Sequence, residues 1–328
     1  MKKLLVAMLV LALLVPSLSA MAVTVGFSQI GAESDWRVAN TKSINEALEG
    51  AGFTVVFDDA QQQQPNQIRA LRNFITQGVD YIVFTGVVTT GWDEVLQEVI
   101  DAEIPLILVD RFPDTELGDD YYVTLINSDF TEEGRRSGEW LVEYLKLLGR
   151  DGDDIKIVEL QGTTGSQPAI ERQTGFMDYI ADFPNLEVIA SQTGNFTSSE
   201  GQAVMETFLK AHPEIDVLYA HNDQMAIGAI DAIKAAGKVP GKDIIILSID
   251  AVKAIFDEIV AGNANCTVEC SPILGPQVAE IILTLEAGGT VEKHIRSIEY
   301  AYDTDGGVQY GEGLFTIKAA DEIDNREF

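Results

Sequence analysis

Only two cysteines and three histidines occur in 328 residues, and neither type is arranged for chemistry. His212, His221 and His294 are scattered, with no HExxH and no Cys/His spacing, which argues against a transition-metal site. Cys266 and Cys270 stand four apart in a β-prone run. On one face of a strand that is about 13 Å, beyond disulfide reach, so two free thiols are expected although export favours pairing. No GxGxxG opens the first helix and no GxxxxGK[ST] occurs, so dinucleotide and P-loop sites lack their glycines. A Gly-x-Ser-x-Gly elbow is missing as well. "DTDGG" at 303–307 starts like a calcium loop but continues "VQYGEGL" without the ligand rhythm, and reads as a turn. Neither a cofactor nor a metal is expected.

Positive charge is scarce too. Lys and Arg number 22 against 52 Asp and Glu, a formal charge of -30. Such a surface repels phosphate backbones and anionic lipid heads, which sets nucleic-acid and membrane-surface roles aside. Long apolar runs are confined to the start: Lys2 and Lys3, an apolar stretch from Leu4 to Val15, Pro16, and the small-x-small "AMA" at 20–22. These are the parts of an export signal, with cleavage expected near Ala22 and a mature chain beginning near Val23. The run is too short to span a bilayer, and no later one reaches the required ~20 residues, so a soluble exported protein is expected.

What is present is one recurring unit. Apolar runs at 23–29, 54–60, 81–86 and 105–110 alternate with helical patterns near 36–50, 66–77 and 91–102. A second series opens with "YVTLIN" at 122–127 and continues at 155–162, 186–192, 217–223 and 244–250, separated by helical patterns near 130–148, 168–182, 198–211 and 224–236. Strands apolar on both faces and spaced by helices imply parallel sheets covered on both sides. Two series imply an α/β protein of two doubly wound parallel-sheet lobes.

In such sheets the ligand sits outside the carboxyl ends of the strands, where loops and helix N-termini converge. The runs end in Ser28 and Gln29, Asp58 and Asp59, Asp110 and Arg111, Asn127, Gln161, Asn222 and Asp223, and Asp250. Solvation alone favours polar residues at strand ends. Asp110 with Arg111 is sharper, because a carboxylate and a guanidinium directly after "PLILV" present an acceptor and a donor fork to one small object. Paired carboxylates such as Asp110 and Asp250 also admit glycoside hydrolysis, if their separation suits that chemistry. Trp36 and Arg37 stand side by side where the first apolar run gives way to a helical pattern, and the ring there is either a core anchor or faces something outside.

The stretches "VGFSQIGAESDWR", "QQQQPNQIRALRNFITQGVD", "DAEIPLILVDR", "VELQGTTGSQPAIERQTGF", "YAHNDQMAIGAIDAIKAAG" and "GKDIIILSIDAV" resemble the type I periplasmic sugar-binding proteins, receptors of ABC importers. "VELQG…ER…GF" and "HNDQMAIGA" mark the wider family, whereas "GFSQIGAESDWR" points to its galactofuranose binders. The resemblance runs from Val23 to a helix near 285, and the tail after 290 has no clear counterpart. It implies two lobes joined by a three-segment hinge: 23–126 with 270–300, and 127–269 with 301–328. It further implies a monomer that captures a monosaccharide in the periplasm, delivers it to a permease in the inner membrane, and catalyses nothing. By the same matching, Glu33, Trp36, Arg37, Asp110 and Arg111 contact the sugar from the first lobe, and Arg172, Asn222 and Asp250 from the second. Trp36 would stack on the sugar's apolar face, unless it staples its own helix. Phe196 is a candidate second wall, with core packing nearly as good an account, and Asp223 reads as a helix cap. Cys270 stands where ribose binders place a polar contact, which argues against ribose. A receptor for a pyranose or pentose, or a secreted glycosidase, remains the alternative.

Overall fold

The computed structural model describes residues 23–326 and Phe328. The expected export signal, residues 1–22, lies outside the described residues. The first sheet is built from β1 (Thr24–Gln29), β2 (Thr54–Asp59), β3 (Tyr81–Phe84), β4 (Leu106–Val109) and β5 (Thr124–Asn127), with α1 (Asp35–Gly50), α2 (Gln64–Gln77) and α3 (Asp93–Asp101) between them. The second is built from β6 (Ile155–Gln161), β7 (Leu186–Thr193), β8 (Val217–Ala220), β9 (Ile245–Asp250) and β10 (Cys266–Glu269). Its helices are α4 (Phe130–Leu147), α5 (Gln167–Ile180), α6 (Ser198–Ala211), α7 (Asp223–Ala235) and α8 (Lys253–Val260). After α9 (Gly275–Glu286), β11 (His294–Arg296) returns to the first sheet, and β12 (Ala301–Asp303) and β15 (Ile317–Lys318) close the second.

Strand order is β11-β5-β4-β3-β1-β2 in one sheet and β15-β12-β10-β9-β8-β6-β7 in the other. Every pairing in the first is parallel, and in the second only β12 runs against its neighbour β10. In each sheet the opening strand lies between the second and third, so the chain reverses its winding there. That reversal opens a crevice at the carboxyl ends. "YVTLIN" does not open the second series: β5 pairs with β4, Leu108 opposite Leu125, and so extends the first sheet. Its continuous apolar run fits either sheet, and the crossing begins only after Asn127.

Three short segments connect the sheets: 128–129 between β5 and α4, 270–274 between β10 and α9, and 297–300 between β11 and β12. In the first half, apolar cores form on both faces of the sheet, one around Phe74, Phe84, Trp92 and Leu108, the other around Phe27, Ile44, Val83 and Val278. The second half has one continuous core, and Trp36 of α1 packs into it from the first. Helices α4 and α5 approach so closely that a Cβ on Gly175 would lie 1.9 Å from the Thr131 carbonyl oxygen. That approach brings Glu133 against Arg172.

The tail has its own architecture. "DTDGG" is a turn in which the Asp303 carboxylate accepts from the amides of Asp305 and Gly306, and Gly306 and Gly307 have φ of 74° and 86°. Strands β13 (Gln309–Gly311) and β14 (Leu314–Phe315) form a small hairpin, and α10 (Ala319–Glu322) follows β15. Arg326 then lies over the rings of Phe256 and Tyr302 and pairs with Glu269 at 2.6 Å. Both cysteines are buried and free. No helix among the described residues is long and apolar enough to cross a membrane.

Candidate functional site

The carboxyl ends of the two sheets face each other across one cavity with about 290 Å³ of empty volume. It is lined from the first half by Glu33, Ser34, Trp36, Arg37, Asp110 and Arg111, and from the second by Phe130, Pro168, Arg172, Phe196, Asn222 and Asp250, with Cys270 on a connecting segment. All eight residues singled out from the sequence therefore meet in one place. Of the other strand ends, Asp59 accepts from the Gln61 amide on the edge strand β2, and Asn127 holds His294 and Arg296.

Local sequence sets each side chain. Ser34 caps α1 by accepting from the Arg37 amide at 3.2 Å, so Trp36 and Arg37 fall in the first turn at the mouth of β1. Asn222, rather than Asp223, caps α7: its Oδ1 accepts from the Met225 amide at 3.0 Å and its Nδ2 donates to the Phe196 carbonyl at 3.2 Å. Asp223 is already helical and turns into the core, accepting from Ser248, the Val252 amide and Thr267. Burial pushes its carboxyl up to about 7 against those hydrogen bonds. The Asp-versus-Asn ambiguity in "HND" arises because either type caps well.

Each of the three arginines lies over an aromatic ring. Arg37 is 4.5 Å from the centroid of Trp36, Arg111 is 5.5 Å from Phe196, and Arg172 is 5.4 Å from Phe130. Each also has carboxylate partners. Arg37 donates to Asp110 at 2.7 Å and to Glu33 at 3.1 Å. Arg111 approaches Asp110 at 3.7 Å and donates to the Val87 carbonyl at 2.9 Å. Arg172 donates to Glu133 at 2.7 Å and reaches Asp250 at 3.5 Å. Rings and carboxylates together fix three planar donor forks in a nearly dry space.

The electrostatics are tense. Burial pushes the Arg111 guanidinium down to about 10, aided by the neighbouring Arg37. Arg37 feels burial in the same direction, yet Asp110 and Glu33 carry it above its ordinary value. Burial drives Asp250 well above the carboxylate range, with Arg172 opposing. Two side-chain atoms among these lining residues have no hydrogen-bond partner: Arg111 Nε, a donor, and Glu33 Oε2, an acceptor. Orphaned buried polar atoms are costly, about 1–3 kcal/mol each.

Backbone strain concentrates here as well. Asp110, Phe196 and Asp250 have φ of 62°, 62° and 126°, the left-handed side that side chains avoid. Strain of this kind persists where the surroundings enforce it, commonly at functional sites. Phe196 owes its place partly to Gly162, where a Cβ would meet the ring at 1.8 Å. Behind this wall, His221 Nδ1 accepts from the Gly162 amide at 3.4 Å, so Nε2 carries the proton toward Glu159 at 2.9 Å.

Trp36 does more than line a wall. Its indole N–H donates to the Cys270 carbonyl at 2.6 Å, tying α1 to a connecting segment. Further bonds join the halves across the cavity mouth: the Thr89 amide to the Gly165 carbonyl at 3.0 Å, the Phe112 amide to Gln167 at 2.6 Å, and the Asp35 amide to Gln224 at 3.3 Å. The lobes are closed on the site. Sequence reasoning missed Ser34, Phe130 and Pro168. Ser34 and Pro168 carried local signals, a serine at a helix N-cap and a proline in a helix's first turn.

A closed crevice between two doubly wound lobes, polar at its centre and walled by aromatic rings, defines a two-lobed receptor of the type I periplasmic binding kind. The chain belongs to the periplasmic binding protein domain family, which matches residues 25–289. It is 42% identical to the galactofuranose-binding protein of Escherichia coli (strain K12) over 309 residues, 92% of this chain and 95% of that one. A solved Mycobacterium smegmatis protein in complex with β-D-fucofuranose is 49% identical, with a TM-score of 0.83 over 86% of this chain and 91% of its own. The periplasmic binding component of the arabinose ABC transporter from Shewanella sp. ANA-3, bound to α- and β-L-arabinofuranose, is 42% identical with a TM-score of 0.83, covering 93% and 95%. These relatives are sugar-binding proteins, not enzymes, and the family is exported to the periplasm.

Proposed function

We propose that this chain is the soluble substrate-binding component of a sugar ABC importer, enclosing one monosaccharide, galactofuranose-like, between its lobes. The lobes are 23–126 with 270–300 and 127–269 with 301–328, and the mature monomer begins after cleavage near Ala22 and docks on a permease in the inner membrane. The observation that carries this reading is the pair of orphans, Arg111 Nε and Glu33 Oε2, on residues that line one closed cavity. A sugar hydroxyl both donates and accepts, so a polyol satisfies both atoms. Arg37, Asp110, Arg172, Asn222 and Asp250 complete the polar rim. Trp36, Phe130 and Phe196 offer apolar faces to ring C–H groups.

The adjacent Trp36 and Arg37 permit a five-membered ring, and the furanose-bound relatives are what favour it. A five-membered ring is smaller in its plane and throws its exocyclic chain to one side, so a ring wall and a guanidinium stack on one part and clasp the other. A pyranose of the same composition leaves buried donors unpaired, at about 1–3 kcal/mol each. The test is a thermal-shift screen of monosaccharides, followed by crystals grown with equilibrating galactose. A ligand at about 100 times its Kd adds about 2.7 kcal/mol, and furanose density is expected. No stabilisation by any sugar overturns the receptor reading, whereas clear pyranose density overturns only the ring form.

Gly162→Ala is expected to evict Phe196 and weaken sugar binding about tenfold or more, roughly 1.4 kcal/mol, with near-wild-type helix content. Calorimetric titration beside circular dichroism checks it. Unchanged affinity removes Phe196 from the wall.

A further inference from the structure

Away from the sugar-facing atoms, the three connecting segments meet at one carboxyl group. Glu299 lies on the third segment and is 8% exposed. Its Oε1 accepts from the Ser128 hydroxyl on the first segment and from the Ser271 amide, at 3.1 Å, on the second. Its own carbonyl accepts from Arg136 of α4 at 3.3 Å. Ser128 Oγ also lies 3.3 Å from Cys270 Sγ. Carboxylate oxygens of Glu133 and Glu299 and the Cys270 sulfur all fall within 4.8 Å of one another. Glu133 Oε1 has no hydrogen-bond partner.

Resting on the receptor reading above, we propose that Glu299 is a positioning residue for sugar capture, its buried carboxyl clasping all three crossings and linking closure of the lobes to uptake of a proton. The segments it joins are those that must rotate when two lobes part. A carboxylate so placed is not neutral to that motion, because its two donors come from different crossings. The charged groups around it explain the proton. Glu133 of α4 faces it but is engaged by Arg172 of α5. Glu269 at the end of β10 is engaged by Arg326 of the tail. Arg136 reaches only the Glu299 carbonyl and gives its Nε to Glu132. The Cys270 thiol, itself pushed up by burial and by Glu133, supplies no cation. Among the described residues no guanidinium therefore pairs with the Glu299 carboxylate. Burial, then Glu133, push it up to about 8, against the hydrogen bonds from Ser128 and Ser271.

The sign follows. A carboxyl raised in the closed state binds its proton there at pH values where an opened, wetter one has lost it. Closure is then fully favoured only below the ordinary carboxylate range, and it weakens as pH rises from there to about 8, where the closed carboxyl ionises too. The experiment measures affinity for equilibrated galactose or L-arabinose from about pH 6.5 to about pH 9, with ligand-free melting temperature over the same range. Wild type should lose about tenfold in affinity per pH unit up to about pH 8 and level off above it, the share of one linked proton. Glu299→Gln, whose amide oxygen still accepts from Ser128 and Ser271, should bind at least as tightly as wild type at the acid end and show a flat profile. Glu299→Ala should bind weakly at every pH. A Glu299→Gln profile that parallels wild type overturns the proposal. So does stoichiometric Zn²⁺ uptake lost in Cys270→Ser, which makes the cluster a cation site instead. If no sugar binds, the receptor reading fails, and the melting profiles decide the proton alone: a wild-type decline absent from Glu299→Gln supports it, and parallel curves reject it.

Discussion

Replacing Trp36 with alanine is expected to weaken sugar binding by about a hundredfold or more while each lobe stays folded. Truncating a buried Trp costs about 3–5 kcal/mol, and about 2.7 kcal/mol is already a factor of a hundred. The loss falls on binding because of where the ring sits. Trp36 belongs to a helix of the first lobe, yet it packs in the core of the second and donates to Cys270 on a connecting segment. These contacts hold the closed arrangement, and the ring also faces the cavity. Calorimetric titration with the best-binding sugar, beside ligand-free melting curves, separates the effects. A variant that unfolds makes Trp36 an ordinary core residue, and one that binds as wild type removes it from the site.

Arg172→Ala is expected to be the most damaging single change to stability, about 3–5 kcal/mol, because it strands a buried carboxylate. Glu133 is 1% exposed and Arg172 Nε is its ion-pair partner. The same change frees Asp250 and the His221 carbonyl. The effect has a pH signature. Burial raises Glu133 above the usual carboxylate range even with Arg172 opposing, and without the arginine the group holds its proton to still higher pH. A raised carboxyl contributes stability at low pH that is lost as pH rises through its folded value. The variant should therefore approach wild type on acidification and fall furthest behind it near neutrality. Melting temperatures at a series of pH values check this, and a constant offset would contradict it.

Asp110, Arg111, Asn222 and Asp250 were legible because a doubly wound sheet ends each apolar run at the same rim, whereas the contact roles of Glu33, Trp36, Arg37 and Arg172, in a loop or in helices, came through the resemblance. A polar residue after "PLILV" or "IILSI" is thus placed by topology without knowledge of its partners. Long-range pairing was not legible. "YVTLIN" is apolar enough for either sheet, and only hydrogen bonding to β4 assigns it. Phe130 reaches the site because the chain turns directly into α4, which its residue type does not declare, and Ser34 reaches it as the cap of α1, a role serine favours. The tail beyond 290 shows no alternating strand–helix unit, since its short strands complete edges of sheets laid down far earlier in the chain. Left-handed backbone at Phe196 leaves no trace in residue choice, because glycine, asparagine or aspartate would be the ordinary occupants.

The returning segments also govern the order in which the molecule can assemble. Gly275 packs so tightly on α1 that a Cβ would meet the Ser43 carbonyl at 1.9 Å, and Asn40 donates to Pro272 at 3.0 Å across 232 residues of sequence. Helix α9 and strand β11 belong to the first half of the molecule, yet a ribosome makes them after most of the second. A nascent chain thus lacks the outer strand and a packing helix of its first lobe until nearly all of it has emerged, and contacts of such span form slowly. Vectorial synthesis cannot complete the two lobes one after the other; they finish together, once the last crossing is made.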